Sequence, residues 1–145
     1  MMDAETKTGS AQPQAVRRSR WEVWTDTILA DWRERWPAAF TKPVPLAVGF
    51  SGQMKAALRA EGKAIDRKLF GIAIRRWTMH GAYLRAVARG EIRRNLDGTE
   101  AGVPDDAARQ DAQKLLNERA ARRVERERRE QEKRDTMATT SMPPS

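Results

Sequence analysis

The spacing of apolar side chains divides this chain into helical segments separated by short polar or proline-containing stretches. The first segment carries Trp21, Trp24, Ile28, Trp32 and Trp36 at intervals of three and four residues, which is one face of a helix. Proline at the next position ends that helix. Packing is the favoured interpretation of the tryptophan stripe. Stacking of nucleobases is the alternative, although bases more often stack on aromatic residues of an open sheet or loop.

A second helical segment follows a loop that contains two prolines. The apolar run 46–50 after this loop predicts a short strand or a buried connector. Ser51 or Gly52 is a candidate N-cap for the helix that comes next, and Gly62 interrupts that helix.

The clearest amphipathic pattern lies at residues 67–80, directly after Asp66, a good N-cap residue. At about 100° per residue, one broad side of this helix is apolar. The opposite side holds three cations and no acid: Arg67, Lys68, Gly71, Arg75 and Thr78. Exposed helix faces normally mix charge signs, because opposite charges four residues apart stabilise a helix. This face is therefore a candidate binding surface for a polyanion.

Two further elements are predicted before the C-terminal part of the chain. Residues 81–90 are predicted to form a short helix that Gly90 ends. Asp97 and Gly98 then form a hairpin signal, since both positions of a two-residue turn favour positive φ.

The C-terminal part is predicted to be one long helix that begins at Asp105 or Asp106. Its apolar positions become sparse beyond Leu116, and residues 119–135 are mostly arginine and glutamate without a heptad repeat. The helix is expected to fray from residue 136 onward. The predicted organisation is a disordered tail at 1–19, one domain at 20–118 that includes the tryptophan-rich helix, and a charged helical extension with a disordered tail at 119–145. The fold class is mainly α with a small β element and a long charged C-terminal helix.

The charge of the chain is concentrated in its middle. Residues 41–98 hold twelve basic and four acidic residues, a net charge of +8 that equals the net charge of all 145 residues. The flanks carry many charges that cancel. A basic excess confined to one segment is typical of a protein that binds nucleic acid.

Residues that would support catalysis are scarce. The chain has no cysteine and a single histidine, His80, and it shows no Ser/His/Asp set, metal-ligand spacing or glycine-rich phosphate loop. We therefore expect no catalytic residue, no metal, no cofactor and no enzymatic activity. There is no apolar run of about 18 residues and no secretory h-region, so we expect a cytoplasmic protein without a membrane partner.

The order of several short motifs resembles the ProQ/FinO family of bacterial RNA-binding proteins and RNA chaperones. The motifs are Trp-Pro-Ala-Ala-Phe at 36–40, Pro-Leu-Ala-Val-Gly-Phe at 45–50, Ala-Ile-Arg-Arg-Trp-Thr at 73–78, Tyr-Leu at 83–84, Arg-Arg-Asn-Leu-Asp-Gly at 93–98 and Gly-Val at 102–103. The resemblance runs from Trp36 to about Leu116. It implies a compact, mainly helical domain that binds RNA hairpins with single-stranded 3′ tails and acts in post-transcriptional regulation.

Carried over by position, the RNA contacts that this resemblance implies are Arg67, Arg75, Thr78, Tyr83 and Arg93. Lys68 joins them from the helix pattern alone. Tyr83, the only tyrosine, is expected to stack on or hydrogen-bond a terminal nucleotide, with a core-edge tyrosine as the alternative. Two positions depart from the family pattern by losing a cation: Ala47 replaces a lysine and Gly71 replaces an arginine.

Two other functions stay open at the level of sequence. A basic DNA-binding regulator would also use a helix face with Arg67, Lys68 and Arg75, in the major groove. A protein-interaction adaptor would use the tryptophan stripe and the charged C-terminal helix. For an RNA chaperone, the expected partners are a terminator-like hairpin and a second RNA during pairing.

Overall fold

The computed structural model describes residues 19–141, so the predicted disordered tail at 1–19 lies outside the described part except for Ser19, as do the last four residues. Within that range the chain forms six α-helices: α1 Arg20–Arg35, α2 Pro37–Phe40, α3 Phe50–Ala60, α4 Arg67–Thr78, α5 Gly81–Ala88 and α6 Asp106–Ser141. The prediction of a mainly α fold is confirmed.

Helix α1 begins with a capping box in which Ser19 and Glu22 exchange hydrogen bonds with each other's backbone N–H groups. Its tryptophan stripe is only partly buried. Trp32 is 2% exposed and lies in the core, whereas Trp21 and Trp24 are each 39% exposed. Packing in the core therefore accounts for Trp32, but it accounts only in part for Trp21 and Trp24 near the start of the helix.

The core lies where α1, α2 and α4 meet. The ring of Phe40 lies 5.3 Å from that of Trp32 and 5.3 Å from that of Trp77, measured between centroids. Trp32 in turn contacts Phe70 of α4 at 5.4 Å. Met54 of α3 is fully buried in the same cluster. This aromatic centre fixes α4 with its apolar side inward.

An ion pair ties α4 to α1 beside that core. The guanidinium Nη1 of Arg76 lies 2.6 Å from Asp26 Oδ1 and donates to the Thr25 hydroxyl at 2.7 Å. At the other end of α4, the carboxylate of Asp66 accepts from the N–H groups of Lys68 and Leu69, so the predicted N-cap is confirmed. The predicted caps of α3 are wrong, because Gly49 occupies that position with a φ of +85°.

The predicted small β element does not form as paired strands within residues 19–141, where β pairing is limited to two isolated bridges, from Arg94 to Leu46 and from Arg94 to Glu100. The chain does reverse at Gly98, but not through the predicted two-residue turn. The N–H of Gly98 donates to the carbonyl of Asn95, and only Gly98 of the turn has a positive φ, of +90°. This is a longer turn with a glycine in the left-handed position, and Asp97 instead accepts a hydrogen bond from the Thr99 hydroxyl.

Helix α6 packs against α5 with its first four turns and then continues without a break. The predicted boundary at 118/119 falls inside this helix, and the expected fraying from residue 136 is wrong because the helix reaches Ser141. Beyond Leu116 most side chains on it are exposed. Among residues 19–141, no helix combines the length and apolar character needed to cross a membrane.

Candidate nucleic-acid interface

The predicted polar side of α4 is a surface of the protein. Arg67, Lys68, Gly71 and Arg75 are all exposed. Thr78 is half-buried, and its hydroxyl donates to the carbonyl of Ile74 at 2.9 Å. No carboxylate among the described residues forms an ion pair with any of the three cations on this face. The cations are therefore available to the phosphates of a ligand.

Aromatic side chains border this face where α1 passes α4. The ammonium of Lys68 lies 4.7 Å from the centre of the Trp21 ring, a cation–π contact. The rings of Trp24 and Trp21 pack edge to face with their centroids 5.5 Å apart. The guanidinium carbon of Arg20 lies 5.3 Å from the centroid of the Trp24 ring. The exposed tryptophans thus extend the cationic face of α4 rather than interrupt it.

A basic depression lies at the N-terminal end of α4. It encloses about 520 Å³ and has four cationic side chains in its lining, Lys55, Arg59, Lys63 and Arg67, with no acid among them. Sequence reasoning counted the first three only as part of the net charge and did not assign them to a site. The four-residue spacing from Lys55 to Arg59 and on to Lys63 was the signal that could have identified them.

The other predicted contacts, Tyr83 and Arg93, meet at the backbone of Leu46. The N–H of Leu46 donates to the Tyr83 hydroxyl at 3.1 Å, and Arg93 Nη1 donates to the carbonyl of Leu46 at 2.8 Å. Burial raises the pKa of the Tyr83 hydroxyl above its ordinary value, and the hydrogen bond from Leu46 and the charge of Arg93 oppose that shift. This arrangement holds the 41–49 loop against the 93–94 segment.

Tyr83 is largely buried in the free protein, which leaves little of its ring for a nucleotide to stack on. The residue is 7% exposed, so its ring faces are covered by core neighbours. Its hydroxyl accepts the buried N–H of Leu46, and a role for Tyr83 in contacting RNA stays a prediction. Arg93 is half-buried, and a role for it in contacting RNA stays a prediction.

The predicted site residues therefore fall into two groups. One is the exposed face of α4, and the other is the Tyr83–Leu46–Arg93 cluster. No hydrogen bond or ion pair within residues 19–141 links the two. Of the two departures from the family pattern, Ala47 is 3% exposed, whereas Gly71 is exposed and has open space around it.

Histidine and carboxylate positions do not form a metal site in the described part of the chain, where no three such residues lie close enough to hold an ion. His80 has a structural role: its Nδ1 accepts the N–H of Ala82 and caps α5. The described residues thus bring together cations and aromatic rings rather than acid–base or metal-binding groups.

Comparison with known proteins identifies the chain's relatives. Among solved structures it is similar to a FinO-like RNA chaperone from Neisseria meningitidis MC58, with a TM-score of 0.52 and 26% identity over 61% of this chain and 89% of that one. No curated protein matches. The model of the ProQ/FINO family matches residues 24–131, well over half of the 145 residues. The chain therefore belongs to the ProQ/FINO family.

Proposed function

We propose that this protein is an RNA-binding protein and RNA chaperone that acts in post-transcriptional regulation. The observation that carries the proposal is the face of α4, where Arg67, Lys68 and Arg75 are exposed and have no acidic partner among the described residues. Membership of the ProQ/FINO family supports it, as does the similarity to a protein described as a FinO-like RNA chaperone.

The proposed ligand is a terminator-like hairpin with a single-stranded 3′ tail. Arg67, Lys68 and Arg75 neutralise phosphates of the stem, and each neutralised phosphate releases counterions that favour binding. Arg93 contacts the tail through donors of its guanidinium that Leu46 does not occupy. Tyr83 contributes its hydroxyl to this contact and also positions Leu46, whose N–H that hydroxyl accepts. Binding, without a covalent step, protects the 3′ end or assists pairing with a second RNA.

The charge component is tested by two matched double variants. Arg67→Ala/Arg75→Ala removes two cations eight residues apart on α4. Lys114→Ala/Arg122→Ala removes two cations with the same spacing on α6, and neither has an ion-pair partner in the described region. We expect the α4 variant to weaken hairpin binding at least tenfold and to reduce the slope of log K against log salt by about 1.4–1.8. Equal losses in the two variants would show that only net charge matters.

The tail component is tested with one hairpin made with and without its 3′ single strand. We expect the tailed RNA to bind more tightly, and the difference to shrink in Arg93→Lys, which keeps the charge but loses the planar donor fork. Equal affinity of the protein for the two RNAs would rule out recognition of the tail.

A DNA-binding regulator is the second candidate, because the same exposed α4 face would also suit a major groove. Competition between duplex DNA and the tailed hairpin distinguishes the two functions. For an RNA chaperone, duplex DNA displaces the hairpin poorly at equal phosphate concentration. Displacement by DNA as efficient as by unlabelled hairpin would favour the regulator.

A further inference from the structure

A second basic surface lies between α5 and α6, away from the residues considered so far. It is a groove of about 620 Å³ with four arginines in its lining: Arg85 and Arg89 from α5, and Arg119 and Arg123 from α6. The amide side chains of Gln113 and Asn117 complete its polar lining, which contains no carboxylate. Such a lining suits the phosphate oxygens of a polyanion, which accept hydrogen bonds from guanidinium and amide groups.

The arginines of this groove are mostly uncompensated. Among the described residues, only Arg89 has an acidic partner, Glu91. Farther along α6 the arginines do have acidic partners, since Arg128 forms ion pairs with Glu125 and Glu132. An ordinary solvated helix surface would show such pairs along its whole length, whereas α6 shows them only beyond its contact with α5.

Packing of α5 also shapes the groove. The Arg85 side chain lies back over Gly81, where an added Cβ would be only 3.2 Å from Nη1. On α6, Arg119 is half-buried and lines the same groove. The Arg85 guanidinium therefore lies against its own helix, and Arg119 is partly screened from solvent at the edge of the groove.

The groove lies on the opposite side of α5 from the Tyr83–Leu46–Arg93 cluster. Arg85 follows Tyr83 by two residues, which is about 200° around a helix. Tyr83 points toward Leu46, and Arg85 points toward α6. Arg93 and the groove therefore lie on different sides of α5.

We propose that the groove between α5 and α6 binds the phosphate backbone of a second RNA while the first occupies the α4 face and Arg93. This inference rests on the proposed function and gives the second RNA a location. Two RNAs bound on opposite sides of α5 would form one complex with the protein and would not compete for the same cations.

The test uses full-length protein and two RNAs that cannot pair with each other. One is the tailed hairpin at saturation, and the other is a single strand with a different dye. Groove variant Arg119→Ala/Arg123→Ala is compared with Lys114→Ala/Arg122→Ala, which removes the same charge from two positions of the same helical segment that do not line the groove. Alanine is the best helix former, so neither variant should disturb α6.

We expect the wild type and the control variant to form a complex of one protein with both RNAs. The groove variant should bind the second RNA at least tenfold more weakly, and the salt slope of that step should fall by about 1.4. Its affinity for the hairpin should stay within twofold of the wild type. Sedimentation of the complexes gives the stoichiometry directly.

Three outcomes would overturn the groove proposal alone. In the first, the wild type binds the hairpin but never a second RNA. In the second, the groove variant loses as much affinity for the hairpin as for the second RNA. In the third, the groove variant changes only the self-association of RNA-free protein, which would mean that a second copy of the chain occupies the groove. Failure of the wild type to bind the hairpin at all is a separate result, which would refute the proposed function together with this inference.

Discussion

Substitutions at Gly71 separate the folding role of α4 from its proposed role in binding. Gly71 lies in the interior of α4, four residues from both Arg67 and Arg75. A Cβ added there would have no heavy atom within 4 Å outside its own turn, and the backbone φ is not in the left-handed region. The glycine therefore serves neither a close approach nor a special turn within the free protein.

The expected energies follow from helix propensity and from the two neighbouring arginines. Gly71→Ala should stabilise the protein by about 0.5–1 kcal/mol, because glycine loses more backbone entropy in a helix. That corresponds to an increase in melting temperature of roughly 2–5 °C for a domain of this size. Gly71→Glu should gain a further ~0.2–0.5 kcal/mol per pair with Arg67 and Arg75, whereas Gly71→Arg should lose about as much.

The three variants should rank in opposite orders for stability and for RNA binding. Stability should follow Glu, then Ala, then Arg. Affinity for the tailed hairpin should follow Arg, then Ala, then Glu, since a cation at position 71 joins Arg67 and Arg75 on the exposed face. Thermal unfolding and hairpin titration at two salt concentrations measure the two orders.

Two results would refute this reasoning. Destabilisation by Gly71→Ala would mean that a neighbour needs the space at position 71 and that the face is not open. Equal RNA affinity of the Arg and Glu variants would mean that RNA does not approach α4. An alanine variant that is more stable but binds RNA less tightly would keep the face and show that the ligand backbone contacts the glycine itself.

Three further predictions test the supporting structure. Asp66→Ala should destabilise the protein by about 1 kcal/mol through loss of the N-cap of α4, whereas Asp66→Asn should lose much less; chemical denaturation compares them. Tyr83→Phe should cost about 1–3 kcal/mol, because the buried N–H of Leu46 loses its acceptor. Burial raises the pKa of Tyr83 above its ordinary value of 10.0. The stability that the neutral hydroxyl contributes is therefore complete below that value and is lost as pH rises toward the folded-state pKa. Unfolding curves at high pH should show a smaller loss in Tyr83→Phe. Deletion of residues 119–145 should change stability by less than about 1 kcal/mol, because few side chains there are buried, yet it should abolish binding of a second RNA; a large fall in melting temperature would contradict this.

Local signals predicted the structure well wherever they depend on neighbouring residues in the chain. Asp66 caps α4 because an aspartate carboxylate reaches the N–H groups two and three residues ahead. The polar face of α4 follows from the helical repeat alone, and Arg67, Lys68 and Arg75 are exposed as predicted. No tertiary information is needed for either feature.

The failures concern features that tertiary packing decides. Periodicity places Trp21, Trp24 and Trp32 on one stripe but cannot say where the neighbouring helices end, so it did not separate the buried ring from the exposed ones. The motif position of Tyr83 predicts an RNA contact but does not predict its burial, which depends on the 41–49 loop that hydrogen-bonds its hydroxyl. The groove between α5 and α6 was also missed, since its arginines come from segments far apart in sequence.

The acids of the central segment explain why its cations remain free. Each of the four carboxylates has a local role: Glu61 pairs with Arg35, Glu91 pairs with Arg89, Asp66 accepts backbone N–H groups of α4, and Asp97 accepts from Thr99. Arg35 lies outside the segment, so only one segment arginine, Arg89, is neutralised by the segment's own acids. Arg76 is paired from outside the segment by Asp26, so ten of the twelve segment cations have no ion-pair partner among the described residues, two more than the net charge of +8. Because the acids of the segment are already engaged by specific hydrogen bonds and ion pairs, substitutions that move charge among α4, α3 and the groove should change RNA binding even when the net charge stays constant.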